Sequence, residues 1–275
     1  MRRYAEWDVN VGVVAGSDGV LVVDTRGTRQ QGAALHDQVR RLVPQREVRW
    51  VVNTHQHFDH TFGNIAFDGA TIHAHENAAA GLEPHAERIR RLCREDDPDD
   101  PLNQQVMETP LRLPDATFSS VGTIDLGDRY VELLYPGRGH TDGDVLVRLP
   151  DSDVVFAGDL VEESAPPSYG EDSFPLDWPG SLDVAIGVVT PTTRVVPGHG
   201  AVVDLGFVRE QSADIAHVAN TIGQLAVSGV PVESAAAQGD WPWDPERLEH
   251  AIRRGYEQAG PPSAPPGGRL PLLSD

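Results

Sequence analysis

The chain has 275 residues, 39% of them hydrophobic, which is enough for one sizeable core with or without an appendage. It carries 42 acidic against 22 basic residues, a net charge of −20, and every basic residue is Arg. That balance speaks against a nucleic-acid partner, which needs a basic stripe, and the lack of Lys excludes Schiff-base chemistry.

Met1 to Asp8 lacks the apolar segment of a signal peptide, and no apolar run reaches the roughly 18–20 residues of a membrane span. Cys93 is the only cysteine, so there is no intrachain disulfide. The expectation is a cytoplasmic protein that acts on a small molecule, without membrane or nucleic-acid partners.

Val11–Ala15 and Val20–Val23, joined by Gly16-Ser17-Asp18-Gly19, read as a β-hairpin. Thr28–Val43 reads as a helix with Ala33, Leu35, Val39 and Leu42 at helical spacing, stopped by Pro44. Val48–Val52 is a short β-branched run, as expected for a strand covered on both faces.

That strand runs into His55-Gln56-His57-Phe58-Asp59-His60, three imidazoles and a carboxylate within six residues. Turns do not need that composition, whereas zinc and other first-row divalent ions do. In extended backbone His55 and His57 point the same way and can grip one ion. Asp59 and His60 fall where Thr61-Phe62-Gly63-Asn64-Ile65 starts a helix, so the chain turns and this pair can face a second point.

Thr71–His75 is another short strand. His73 and His75 repeat the spacing of His55 and His57, but no Asp-His pair follows them, and they read as structural or as hydrogen-bond donors behind the metal ligands. Glu76–Arg94 is charged and Ala-rich with Pro84 inside, predicting one broken helix or two short ones. With the acidic loop Glu95–Pro101 it forms an insertion over the site mouth or a homodimer contact.

Val121–Leu126, Tyr130–Leu134, Val145–Leu149 and Val154–Ala157 predict a second, more antiparallel sheet, with turns at Gly127-Asp128, Pro136-Gly137 and Pro150-Asp151. His140 and Asp159 would then lie just outside strand ends. Glu162–Gly180 carries Tyr169, Phe174 and Trp178 and reads either as a substrate wall or as an ordinary surface loop. Leu182–Val189 and Leu205–Ala226 predict helices around the strand Arg194–Val196. Asp244 and Pro245 start a helix over Glu246–Gln258, and Gly260–Asp275 is a Pro/Gly-rich tail. The division expected is a catalytic unit over 1–230 and a helical extension over 231–275.

The string His-x-His-x-Asp-His after a strand resembles the signature of the metallo-β-lactamase fold superfamily. Gly137-Arg138-Gly139-His140-Thr141, Phe156-Ala157-Gly158-Asp159 and Val195-Val196-Pro197-Gly198-His199 resemble its later segments. The resemblance implies an αββα four-layer sandwich, an α/β fold of two mixed sheets face to face with helices outside. It also implies two divalent ions, zinc foremost, with iron or manganese as alternatives. His55, His57 and His140 would hold the first ion and Asp59, His60 and His199 the second, with Asp159 between them.

The implied activity is a dinuclear hydrolase that uses a metal-bridging hydroxide on a small ester, thioester, lactone or lactam. Asp59 would also be catalytic, orienting the nucleophile and passing on a proton. Asp24, Asn53, Thr54, Thr141 and Asp142 are candidates to fix the imidazoles. Asp159 resembles the glyoxalase II and lactonase branches, because true β-lactamases use Cys or Ser there. The lactonase Tyr after that Asp is missing, since Leu160-Val161-Glu162 follow. A mononuclear-iron enzyme related to persulfide dioxygenase is the alternative, and a phosphodiesterase or nuclease is disfavoured by the charge.

Overall fold

The computed structural model describes residues 1–260. The expected tail over 261–275 lies outside them. The first sheet contains, in spatial order, β1 (Arg2–Arg3), β2 (Asn10–Ala15), β3 (Val20–Val23), β4 (Val48–Val52), β5 (Thr71–His75) and β6 (Ala116–Phe118). The second contains β7 (Val121–Asp125), β8 (Tyr130–Leu134), β9 (Leu146–Leu149), β10 (Val154–Glu162) and β11 (Arg194–His199), in the order β11-β10-β9-β8-β7. Both sheets are mixed. The pairs β3–β4, β4–β5, β5–β6 and β10–β11 are parallel, and the others are antiparallel.

The two-residue period of the strands builds the layers. In β3, Leu21 and Val23 face the second sheet and join Leu133, Val147 and Phe156 in one buried cluster. Val20 and Val22 point the other way, onto Leu35 and Val39 of α1 (Arg29–Leu42). Thr28 caps α1 by accepting from the Gln31 amide.

Behind the second sheet, Val155 and Ala157 pack with α5 (Trp178–Val188) and α6 (Leu205–Val227). The same cluster includes Ala235 of α7 (Val232–Gln238) and Ala251 and Ile252 of α8 (Glu249–Ala259). The result is helix, sheet, sheet, helix, as the resemblance implied.

Four local expectations need correction. Pro84 does not break its helix: α3 (Glu76–Asp96) is continuous, with Leu82, His85 and Ala86 buried around the proline. Packing of that face holds the helix across the missing N–H. Strand β10 does not stop at Ala157 but continues to Glu162 through two register shifts, with Gly158 at φ +54°. The bulge re-aims Asp159 from within the strand instead of leaving it beyond the end. The helix expected from Leu182 starts at Trp178. Trp178 and Tyr169 are core residues and not a substrate wall, as both are buried in the cluster behind the second sheet.

Candidate metal centre

Two strand ends, one loop and one bulged strand deliver the centre. His55, His57, Asp59 and His60 follow β4, with Asp59 and His60 on the single turn α2 (Phe58–Thr61). His140 lies between β8 and β9, Asp159 on β10 and His199 at the end of β11. All seven are thus brought to one place. His55, His57, His140 and Asp159 form one cluster, and Asp59, His60 and His199 a second, with the potential ligand atoms of each within 4.8 Å of one another.

Asp159 stands between the clusters. One carboxylate oxygen, Oδ2, lies 3.7 Å from His55 Nε2, 3.4 Å from His140 Nε2 and 3.3 Å from His199 Nε2. The other, Oδ1, lies 3.2 Å from His60 Nε2. In the second cluster, His60 and His199 approach each other at 3.3 Å through Nε2, and Asp59 Oδ2 is 3.5 and 3.3 Å from them. In the first, His140 Nε2 faces His57 Nδ1 at 2.8 Å.

These separations fit a cation. Donors at about 2.0–2.2 Å around a tetrahedral zinc would stand about 3.3–3.6 Å apart. Two of the atoms aimed into the centre, His55 Nε2 and Asp159 Oδ1, are buried without a hydrogen-bond partner. Buried groups of this kind are normally satisfied, so their convergence marks a place for a ligand. Gly198 keeps the approach open, because a Cβ there would sit 1.8 Å from Asp159 Oδ1.

The other ring nitrogen of each histidine is held. His60 Nδ1 meets Asp24 Oδ2 at 2.9 Å, and His55 Nδ1 meets Thr54 Oγ1 at 3.1 Å. His140 Nδ1 pairs with the Ser168 carbonyl at 2.9 Å and His199 Nδ1 with the Trp7 carbonyl at 2.6 Å. His57 Nε2 pairs with Asp172 Oδ2 at 3.1 Å. Such partners fix the tautomer and leave the opposite nitrogen free to ligate.

Asp24 is the most connected of them. It also accepts from the Thr54 amide and hydroxyl, each at 2.8 Å, from a left-handed backbone at φ +63°. Asp24 and Thr54 therefore sit where the sequence suggested. Asn53, Thr141 and Asp142 do not touch the imidazoles. Asn53 bonds Asn64, Thr141 bonds Asp144, and the Asp142 carbonyl accepts from Asn77.

Sequence reasoning missed Asp172, Ser168 and Trp7. Two of these act through backbone carbonyls, which leave no residue signature, and Asp172 lies in a loop read for its aromatics. His73 and His75 stand outside the clusters. His75 caps α3 through the Asn77 amide and bonds the Ser119 carbonyl.

The field of the site favours positive charge. Burial works against charge on His199, but Asp159 and Asp59 push its pKa up to about 12. His60 is likewise raised despite burial, by Asp159, Asp59 and Asp24. Burial also opposes charge on Asp159 and Asp59, yet the neighbouring imidazoles hold both carboxyls below their usual range. The first cluster differs: burial lowers His55 well below the ordinary imidazole value and His140 to about 4, so both are neutral and ligand-ready at pH 7.

A fold of two facing sheets with these clusters at their strand ends defines a metal-binding α/β protein. A sequence profile of the metallo-beta-lactamase superfamily matches residues 4–199, and the chain belongs to that superfamily. It is 26% identical over 193 residues to a metallo-beta-lactamase type 2 of Bacillus sp. (strain 170), covering 70% of this chain and 66% of that relative, just under two thirds of its length. It is also 26% identical over 211 residues to the acyl-coenzyme A thioesterase MBLAC2 of Homo sapiens, covering 69% of this chain and 72% of the relative.

Among solved structures, a metallo-beta-lactamase from Pontibacter korlensis superposes with a TM-score of 0.59 at 24% identity, over 74% of this chain and 85% of that one. The metallo-beta-lactamase FIM-1 from Pseudomonas aeruginosa gives 0.60 at 18% identity, over 78% and 88%. Both share the fold. Among the described residues, no helix is long and apolar enough to cross a membrane.

Proposed function

We propose that the chain is a dinuclear metal-dependent hydrolase of small acyl substrates, esters and thioesters ahead of lactones and lactams. The observation that carries this reading is the pair of clusters sharing Asp159, whose two oxygens face different histidines. His55, His57 and His140 would hold one ion and Asp59, His60 and His199 the other, with zinc the first choice for an imidazole-carboxylate donor set. When bound, the ions supply an activated water at neutral pH and polarise the acyl oxygen.

The chain supplies the rest. The imidazoles, four buried and His57 partly so, are each locked through the second nitrogen and hold the donors in place before the ions arrive. Asp59 is the catalytic carboxylate of this reading. One of its oxygens, Oδ2, reaches the second cluster, and the other would accept a proton from the incoming nucleophile and return it to the leaving group. Asp159 at the shared position resembles the glyoxalase II and lactonase branches, and a thioesterase relative supports thioesters, beside β-lactamase relatives at the same 26% identity.

The test is metal analysis of the purified protein, then assays with thioester, ester, lactone and lactam substrates. Two ions per chain with acyl hydrolysis is the expected result. One iron with oxygen uptake, or no hydrolysis with any of the four classes, would overturn it.

A further inference from the structure

We propose that Asp172 is a positioning residue for His57, and that α8, from beyond the family-matched region, keeps it in place. The inference rests on the metal-centre reading above. Asp172 lies in the loop between β10 and α5, outside the seven residues of the centre. Its Oδ2 accepts from His57 Nε2 and from Gln56 Nε2, both at 3.1 Å. His57 Nδ1 is thereby the nitrogen turned to His140. His85 of α3 stacks on the His57 ring at 4.4 Å between centroids and 24° between planes, so the ring is fixed in its plane and along its edge.

A third metal site at His57, His85 and Asp172 does not fit. His57 has no nitrogen to spare, and His85 Nε2 already accepts the Phe58 amide at 3.1 Å. The Arg88 guanidinium lies 3.3 Å from His85 Nδ1 and would repel a cation. Asp172 therefore serves the imidazole and not an ion of its own.

The loop carrying Asp172 is held by the last helix. Arg254 Nε donates to the Ser173 carbonyl at 3.1 Å, next to Asp172 in the chain. Gln258 accepts from the Leu176 amide at 3.0 Å and donates to Asp177 at 3.2 Å. The Arg254 guanidinium also lies 5.4 Å over the Phe174 ring. On its other side the loop is tied to the centre, since the Phe174 amide donates to the Gly139 carbonyl at 2.8 Å, one residue before His140. The path from α8 to His57 thus runs from the Arg254 guanidinium to the Ser173 carbonyl, along the chain to Asp172, and through its carboxylate to the imidazole.

The test compares wild type with Asp172→Ala, Asp172→Asn and Arg254→Ala in the full chain. With cobalt(II) as the probe metal, chelator competition should show Asp172→Ala holding one ion about 10–100-fold more weakly, with an altered visible absorption spectrum. Asp172→Asn, which retains an acceptor, should fall between, and Arg254→Ala should shift the same ion in the same direction.

Thermal midpoints in excess chelator should match wild type, which separates positioning from folding. In the metal-free protein, nitrogen-15 spectra of the histidines should show His57 carrying its proton on Nε2, and Asp172→Ala should lose that preference. Cobalt affinity and histidine spectra unchanged in Asp172→Ala would overturn the role of Asp172, and an unchanged cobalt affinity in Arg254→Ala would overturn that of α8. A wild type that binds no cobalt but shows the His57 signature would instead refute the metal-centre reading alone.

Discussion

At the scale of single residues, the centre depends on buried polar groups that satisfy one another only in this arrangement. Asp159→Ala removes the carboxylate common to both clusters and should leave a protein with little bound metal and no turnover, read by metal analysis and substrate assay. Asp24 touches no substrate, yet it holds His60 Nδ1 and two donors of Thr54. Asp24→Ala should weaken retention of the second ion about 10–100-fold. It should also lower stability by about 1–3 kcal/mol, because the buried Thr54 amide is left unpaired. Denaturant unfolding of the metal-free variant measures the second effect separately from the first.

Glu162 offers a pH signature of the same site. Burial, with Asp159 second, raises its carboxyl to about 8 from an ordinary 4.5. The folded state therefore keeps a proton that the unfolded chain releases, and stability falls as pH rises from about 4.5 to about 8. In the metal-free protein, Glu162→Gln should flatten that part of the stability profile. Equal slopes for variant and wild type across pH 5–8 would contradict the buried, protonated state.

At the scale of elements, the site draws on the ends of β4 and β11, the β8–β9 loop and the bulge within β10, and two of these depend on a local backbone device. The bulge and the left-handed Gly158 let β10 turn Asp159 inward while Val155 and Ala157 stay in the core. Gly198 leaves room for that carboxylate. Gly198→Ala should displace Asp159 and reduce metal content while α5, α6 and β11 stay folded, as checked by metal analysis beside circular dichroism.

The sequence made much of this legible. The strand Val48–Val52 and the His55–His60 string are dense in chemistry and short in span, so composition and period were enough to read them. His140, Asp159 and His199 are single residues whose role came from the motifs around them. Less was legible where long-range packing decides. Trp178 and Tyr169 looked like loop aromatics because their partners, such as Leu160 and Ile215, lie elsewhere in the chain. Pro84 looked like a break because its helix is held by tertiary contacts, not by propensity. Backbone carbonyls such as those of Trp7 and Ser168 can be assigned only once the fold brings them to an imidazole.

At the scale of the whole molecule, the centre joins the two sheets. His55, His57, Asp59 and His60 hang from the first, whereas His140, Asp159 and His199 belong to the second. Strand β2 adds a polar stitch, with Asn10 donating to the carbonyls of Pro197 and Gly200 at 2.9 Å each. In the metal-free protein the Asp159 and Asp59 carboxylates face His60 and His199, whose raised pKa values favour the protonated rings. Ions that bind only the folded arrangement should displace those protons and stabilise the fold by mass action. Zinc at 100 times its dissociation constant would add about 2.7 kcal/mol per site, or about 5–10 °C in the unfolding midpoint of a chain this size. The uptake should release protons, so its affinity should rise between pH 6 and pH 8, in the direction set by the raised His60 and His199. Thermal scans with zinc and with chelator, in wild type and in Asp159→Ala, measure both effects. A midpoint shift as large in the variant as in wild type would mean that the ions stabilise the fold from somewhere other than between its sheets.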